Sequence, residues 1–422
     1  MNKVSLFLEK YQMSSTDIDI KDTLIKFNKE INKGLAQDAP VSICSIPMIA
    51  TYIKPILKVR ENEPVIVIDA GGTNLRIGLA RFLDERWNVF DVTEFKMPGI
   101  DREYSHQEFF DYIAERMVPY LDCAINIGFC FSYRVKMNEN LDGKLIAWAK
   151  EIKAKEVVGK DIGASLLNAI KKYSNVDRKI VVLNDTTAVL LGGISLDTNK
   201  EFKKYIGSIY GTGFNCCYME QIKNITKLNK DSDELMIINT ETGNFNGFHH
   251  GVFDVELTKE SQLEHEALTE KMSSGRYLSS LIYKATVKAK DDGLIEDLDL
   301  SKYNDFDLPK ISMYLTGLTD DFDKCFKKDK DKDTFKEICL ELINRASKIV
   351  ATTISAFALQ SNVKEIGIII EGSTFYKLPT FKESFNDYLK EILDKYHICY
   401  RLIDGRGRNL IGAAVAAMCK VS

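Results

Sequence analysis

The sequence predicts an α/β protein built as two lobes with a cleft between them. Three observations carry this. The chain has 422 residues, more than one hydrophobic core ordinarily serves. Apolar runs repeatedly stop on a polar residue, at Asp69, Ser132, Asp185, Thr212, Glu241 and Ser373. Strands of that kind commonly turn their polar ends toward a crevice. A strand–strand–helix system in the first half is echoed by another in the second, without a short sequence repeat.

Residues 1 to 60 read as mostly helical and amphipathic. N-cap candidates stand at Ser14-Ser15-Thr16-Asp17, and Ser45-Ile46-Pro47-Met48 interrupts the pattern. Val65-Ile66-Val67-Ile68 is wholly β-branched and ends on Asp69; Ala70-Gly71-Gly72-Thr73-Asn74 then turns the chain into a second strand, Leu75 to Leu79. Phe90 to Phe95 is a further strand, and Trp87, after the charged stretch Asp84-Glu85-Arg86, is expected to be peripheral. His106 to Leu121 reads as a helix, with Phe109, Phe110, Ile113 and Met117 at helical spacing. Ile125 to Ser132 is a buried strand ending on a hydroxyl. Asp161 to Tyr173 is a helix, and Ile180 to Leu183 is a strand leading through Asn184-Asp185-Thr186 into a small-residue helix, Thr187 to Gly192.

In the second half, Tyr205 to Tyr210 is a strand ending at Gly211-Thr212-Gly213, and Glu234 to Thr240 another that ends at Glu241. Leu263 to Lys290 reads as one long helix with Gly275 inside it. Asp320 to Lys336 mixes Asp, Lys and Phe and reads as a solvated loop or surface helix face. Leu340 to Leu359 is a helix, Glu365 to Ile370 a strand ending in Glu371-Gly372-Ser373, and Lys382 to Tyr396 a helix. Cys399 to Ile403 is a strand, and an Ala-rich helix runs from Asn409 to Cys419.

Composition excludes several classes. The net charge of −4 gives no basic field for nucleic acid. Nine dispersed cysteines, with no C-x-x-C pair, fit reduced thiols rather than a disulfide framework or a metal cluster. No apolar run approaches the ~20 residues of a membrane span, and no secretory h-region is apparent near Met1. The expected location is cytoplasmic, with neither nucleic acid nor membrane as partner.

The polar strand ends suggest phosphate chemistry. Glycines at 71 and 72 let backbone N–H groups approach a phosphate, Thr73 and Asn74 add short hydrogen-bonding groups, and Asp69 can hold a hydrated Mg²⁺. The alternative is an ordinary hairpin turn with a solvated aspartate. Asp185 is the general-base candidate, able to take a proton from a substrate hydroxyl as it attacks a phosphoryl group; its alternative role is a helix N-cap. Gly211-Thr212-Gly213 offers a second phosphate contact, and Glu241 and Glu270 are acceptors suited to sugar hydroxyls. Cys216 and Cys217 read as packing residues on opposite faces of a strand, and His249-His250 as loop surface.

Together these segments resemble the hexokinase family of the actin-like ATPase (ribonuclease H-like) fold, from about residue 60 to the C-terminus. Asp69-Ala-Gly-Gly-Thr-Asn-Leu-Arg76 resembles its first phosphate loop. Phe129 to Tyr133 resembles its sugar segment, and Trp148-Ala149-Lys150 the Trp-Thr-Lys that follows. Asn184-Asp185-Thr186 resembles the catalytic Asn-Asp-Thr. Gly211 to Asn215, Asn239-Thr240-Glu241 and Glu270-Lys271-Met272 resemble second-lobe phosphate and sugar motifs, and Glu371-Gly372-Ser373 an adenosine loop. The resemblance implies ATP-dependent transfer to the 6-hydroxyl of a hexose, glucose first among them, with Asp185 as base, Mg²⁺ on the phosphates and lobe closure excluding water. It implies that Ser132, Lys150, Asn184, Asp185, Asn215, Glu241 and Glu270 hold the sugar. It places Asp69, Gly71, Gly72, Thr73, Asn74, Arg76, Thr212, Gly213, Gly372 and Ser373 around ATP. The expected organisation is N-terminal helices 1–61 on a large lobe 192–403, a small lobe 62–191, and a C-terminal helix 404–422 returning to the small lobe.

Departures from the family pattern fall on the sugar side and the adenine rim. Arg134 stands where a proline is usual, and Ala149 where a threonine is. Glu151-Ile152 replaces Gly-Phe, and Glu264-His265-Glu266-Ala267 replaces a Gly-Gln-Gln segment. Asp404-Gly405-Arg406-Gly407-Arg408 departs from Asp-Gly-Ser-Gly. Two other functions fit these changes: a related sugar kinase with a different substrate, or a catalytically weak sugar sensor. The intact Asp185 argues against the second.

Overall fold

A computed structural model describes residues 2–55, 60–148, 152–197, 201–261 and 263–418. Helices α1 (Lys3–Lys10) and α2 (Ile20–Ala36) open the chain. Asn2 and Asp19 cap them by accepting from the backbone N–H of Ser5 and Asp22, and Ser14 caps the short 3₁₀ turn between them. Strand β1 (Ile49–Ala50) follows, then the hairpin β2 (Pro64–Gly71), β3 (Asn74–Leu83) and β4 (Arg86–Lys96). Next come α3 (His106–Met117), β5 (Asn126–Phe131), the ribbon β6 (Arg134–Met137) and β7 (Gly143–Ala147), α4 (Ile162–Ile170), β8 (Lys179–Leu183) and α5 (Asp185–Ile194).

The second half holds β9 (Tyr205–Tyr210), β10 (Phe214–Gln221) and β11 (Leu235–Asn239), then α6 (Val252–Glu260), α7 (Leu268–Ser273), α8 (Gly275–Asp291) and α9 (Leu308–Leu315). It closes with α10 (Asp329–Gln360), β12 (Glu365–Glu371), α11 (Ser373–Lys377), α12 (Phe381–Lys395), β13 (Cys399–Asp404) and α13 (Asn409–Met418).

Each half forms one open sheet. The first has strand order β4-β3-β2-β5-β8, the second β11-β10-β9-β12-β13 with β1 added at its antiparallel edge. Three antiparallel strands followed by two parallel ones are thus used twice. This is the two-lobed actin-like ATPase fold, and the echo read in the sequence is a repeat of topology rather than of residues.

Helices α5 and α13 lie between the sheets and share one apolar core with Val65, Val67, Leu183, Cys217, Ile237 and Ile369. The approach is close enough to demand glycine: a Cβ on Gly412 would fall 1.8 Å from the carbonyl oxygen of Ala188, and one on Gly128 1.9 Å from that of Ala413. A second core lies under α3 and α4, and a third around α10, α8, α12 and the N-terminal helices. Buried Asp142 fastens the ribbon to α4 by accepting from the N–H groups of Gly163 (2.6 Å) and Ala164 (2.9 Å).

Three expectations need correction, and one element went unread. The helix read as continuous from Leu263 to Lys290 is broken: Ser274 is extended (φ −70, ψ 159), and Gly275 starts α8 instead of sitting within it. The charged run 320–336 is partly the first turns of α10, which starts at Asp329 rather than Leu340 because Phe335, Ile338 and Cys339 supply a buried face. The ribbon β6–β7 had no counterpart in the sequence reading. Trp87, expected to be peripheral, is only 8% exposed and packs on Phe82.

Candidate active site

Strands β2, β5 and β8 run parallel, side by side, and end together. Their ends bring Asp69, Ser132, Asn184 and Asp185 to one edge of the first sheet. Asp69 is buried, and the Arg76 guanidinium on the neighbouring strand lies 3.5 Å from its carboxylate. Ser132 is anchored by its backbone N–H, which donates to the Ala70 carbonyl at 3.0 Å. A Cβ on Gly71 would stand 3.5 Å from the Ser132 hydroxyl, so the turn and the hydroxyl are neighbours. The Tyr133 hydroxyl donates to the Gly72 carbonyl at 3.3 Å. Thr73 and Asn74 are exposed at the hairpin tip; the Asn74 amide donates to Glu94, 2.9 Å away.

Asp185 opens α5, but Asn184 is the N-cap: its side-chain oxygen accepts from the Thr186 N–H at 3.0 Å and the Thr186 hydroxyl at 2.6 Å. Asp185 also accepts from the Thr186 N–H, at 2.9 Å. The N-cap role offered as the alternative for Asp185 therefore belongs to Asn184. The cap is carried by its neighbour, and the Asp185 side chain is half-buried at the edge.

On the second sheet, Asn215 (β10), Asn239 (β11) and Glu241 form a relay. The Asn215 amide donates to Asn239 at 2.9 Å, and the Asn239 amide donates to the Glu241 carboxylate at 2.8 Å. Glu241 sits in a left-handed turn (φ 54). Burial pushes its carboxyl up, while the Arg134 charge and the Asn239 amide pull it down. Glu270 on α7 accepts from the Phe214 N–H at 3.0 Å, which ties α7 to the start of β10. The Thr186 hydroxyl lies 3.5 Å from the Asn239 amide oxygen and links this relay to the Asn184-Asp185-Thr186 segment.

The turn Gly211-Thr212-Gly213 is held by the start of α8. The Gly275 N–H donates to the Gly211 carbonyl at 2.9 Å, and that of Arg276 to the Thr212 carbonyl at 3.1 Å. A Cβ on Gly213 would meet Glu270 at 2.9 Å. Gly372 has φ +125, and a Cβ there would fall 2.1 Å from the Tyr210 carbonyl oxygen. Only glycine lets this loop lie on the β9 turn. Ser373 then begins α11. Of the expected site residues, Lys150 lies outside the described residues, as do Ala149 and Glu151.

Glu371, at the end of β12, joins the acidic group. Burial and the neighbouring Asp185 and Asp69 charges push its carboxyl up to about 7, with Arg76 opposing. Three carboxylates from both sheets thus share one field. Among the described residues there is no ready-made cluster of three metal-ligating side chains. Mg²⁺ keeps several waters and binds through one or two carboxylates and substrate phosphates. Excess negative charge is what a divalent cation would relieve, so Asp69 with Glu371 beside it fits the ion.

A family profile described as Hexokinase matches residues 205–419, and a second with the same description matches residues 4–194. The chain belongs to the hexokinase family. Hexokinase-1 of Saccharomyces cerevisiae is 28% identical over 90% of this chain and 84% of its own length. Hexokinase-1 of Homo sapiens is 27% identical over 98% of this chain, which spans 48% of that protein. A Schistosoma mansoni hexokinase solved with glucose superposes with a TM-score of 0.81 at 22% identity, covering 99% of this chain and 98% of that one.

Two neighbourhoods of this hexokinase-family cleft escaped the sequence reading. Nothing in the Glu371 segment itself reveals that Asp69 and Asp185, far away in sequence, stand beside it. Arg134 reads from sequence as a long cation in place of a proline, able to alter the sugar loop or pair with a substrate anion; its protein partner, Glu266 on the loop before α7, 3.6 Å from the guanidinium, was not foreseen. Cys216 and Cys217 behave as read and are buried in different cores, but the histidine pair is only partly loop surface: His249 is exposed, whereas His250 is half-buried and burial lowers its pKa.

Proposed function

We propose that the chain transfers the γ-phosphoryl group of ATP to the 6-hydroxyl of a hexose, glucose in the first instance, with Asp185 as general base. Residues 62–191 with the segment 404–422, which carries α13, form the small lobe in this reading, and 192–403 with the N-terminal helices the large one. The observation that carries it is the meeting of Asp185 and Asn184 with the Asn215–Asn239–Glu241 relay through the Thr186–Asn239 contact.

In this reading the relay orients the groups that face the sugar. Asn239 spends its amide on Glu241, so one Glu241 oxygen is oriented and its remaining lone pairs serve as acceptors for hydroxyls. Ser132 and Asn184 add donors and acceptors from the first sheet, and Glu270 from α7. A hexose so held aligns its 6-hydroxyl with Asp185, which takes the proton as the oxygen attacks. The turns at Gly71-Gly72-Thr73 and Gly211-Thr212-Gly213 offer backbone N–H groups and hydroxyls to the phosphates, while Gly372 and Ser373 border the nucleoside. Mg²⁺, held near Asp69, would neutralise charge on the transferred group. Closure of the lobes keeps water, a competing nucleophile, out of the cleft.

ADP release measured across a panel of hexoses tests the reading. Glucose-dependent turnover that requires Mg²⁺ is expected; turnover equal with and without sugar would overturn it. A different hexose substrate is the second reading, favoured by Arg134 and Glu266 at the mouth of the sugar side. It predicts that another sugar of the panel exceeds glucose in kcat/KM.

A further inference from the structure

Charge crosses the cleft beside the sugar residues. Arg134 opens β6, two residues after Ser132, and its guanidinium lies 3.6 Å from the Glu266 carboxylate on the opposite side. The Arg134 side chain is 22% exposed and that of Glu266 41%. The Arg134 Nε is buried and has no hydrogen-bond partner among the described residues. A buried, unsatisfied guanidinium N–H is costly to keep. Glu241, the end of the relay, feels the same positive charge.

The ribbon that carries Arg134 makes two more ion pairs, one with the segment after α2 and one with the second half. Lys136 lies 3.2 Å from Asp38, and Glu139 lies 2.6 Å from Lys230. Both are well exposed, so each contributes little by itself and less at high salt. The Arg134–Glu266 pair differs from them in burial and in place. It joins the strand that follows Ser132 to the loop that leads into α7 and Glu270.

We propose that Arg134 is a positioning residue of the hexose site: its guanidinium clamps Glu266 across the cleft, and this clamp sets Glu241 and the Glu270-bearing helix against Ser132 when sugar binds. The inference rests on the hexose-kinase reading above. It also bears on substrate charge. Arg134 is already matched by Glu266 and Glu241, so it offers a second anion no net attraction, and the clamp favours neutral hexoses over uronates.

Steady-state kinetics on the full chain decide it, with Arg134→Ala, Arg134→Lys, Glu266→Gln, the double variant Arg134→Ala/Glu266→Gln and the swap Arg134→Glu/Glu266→Arg. Arg134→Ala is expected to raise glucose KM about tenfold, between the scale of an exposed and that of a buried ion pair, while the KM for ATP stays within about twofold. Arg134→Lys should recover part of the loss. Glu266→Gln should act in the same direction, and the double variant should be no worse than the poorer single one within about twofold, because both remove one interaction. Raising salt from about 50 mM to about 500 mM should raise glucose KM for the wild type but not for the double variant. Additive losses, a lower kcat and Tm with unchanged glucose KM, or an Arg134→Lys variant no better than Arg134→Ala would overturn the clamp. If Arg134→Ala fails to fold, Glu266→Gln, which changes a half-exposed loop carboxylate to its amide, decides by the same KM and salt readouts. A wild type without sugar-dependent ADP release on any hexose of the panel overturns the hexose-kinase reading and the clamp together. An active wild type with unaltered KM in both single variants overturns the clamp alone.

Discussion

Asp185→Ala separates chemistry from folding, and the structure says why. Asp185 is the first residue of α5, where loss of an acidic side chain ordinarily weakens a helix start. The Thr186 N–H, however, is shared between Asp185 at 2.9 Å and Asn184 at 3.0 Å, and the Thr186 hydroxyl also donates to Asn184. The cap therefore survives the substitution. What is lost is one acidic residue in the first turn, worth about 0.3–1 kcal/mol against the helix dipole. Removing a charge from the field of Asp69 and Glu371 offsets part of that. The expected drop in Tm is no more than about 2–4 °C for a chain of this size. Loss of a general base costs about 10²–10⁴ in rate, roughly 3–5 kcal/mol of barrier. A coupled ADP assay should thus show kcat falling at least a hundredfold, while a thermal melt barely moves and sugar binding persists in weakened form. A variant keeping more than about a tenth of wild-type kcat would refute the base assignment. A Tm loss beyond about 10 °C would refute the account of the cap.

Three further outcomes are expected. Glu371→Gln should stabilise the protein more at high pH than at low: the folded-state pKa of about 7 lies above the ordinary 4.5, so wild-type stability is lost as pH rises through that window, up to roughly 3 kcal/mol. Melts at about pH 5 and pH 8 check it, and an equal effect at both would refute it. Asp254→Asn leaves Arg345, 1% exposed on α10, without its buried partner, and urea unfolding should register a loss of about 3–5 kcal/mol with little change in glucose KM for the folded fraction. Glucose should change the fluorescence of Trp148, whose ring packs on Tyr133 at 4.8 Å beside Ser132; the signal should survive Trp87→Phe and vanish in Trp148→Phe.

Much of this cleft could be read from sequence because each residue belongs to a short local signal. A β-branched run ending on a carboxylate before two glycines fixes strand, turn and Asp69 within eight residues, and the same holds at Asn184-Asp185 after Ile180 to Leu183. What was not legible depends on distant parts. The break at Ser274-Gly275 is hidden, because apolar spacing continues on both sides. Only the tertiary contact of the Gly275 N–H with the Gly211 carbonyl shows why the helix restarts there. Trp87 sits in a charged segment, yet the hairpin folds it onto Phe82. The acidity of the Glu371 neighbourhood is assembled from strands in both sheets, and no window of the sequence contains it. The Arg134–Glu266 contact likewise joins positions that the sequence offers only as two separate departures from the family pattern.

The charge arrangement explains why two arginines stand in this cleft and why they are not interchangeable. Asp69, Asp185 and Glu371 gather on the side expected to receive a triphosphate, itself an anion. Arg76, 45% exposed between Asp69 and Glu94, moderates that field but remains accessible to solvent and ligand. A cation that must greet a phosphate has to be reachable, and one already buried against a carboxylate would have to be torn from it first. Arg134 meets the opposite requirement. The groups around it, Glu241 and Glu266, are expected to handle a neutral sugar, and no incoming charge will balance them. Their compensation has to come from the protein and has to be in place before binding, so it is less exposed and is supplied from the facing lobe. A consequence follows for the two sites. Salt should weaken nucleotide binding through Arg76 whatever the lobe geometry, whereas on the sugar side it should act only where the two lobes meet.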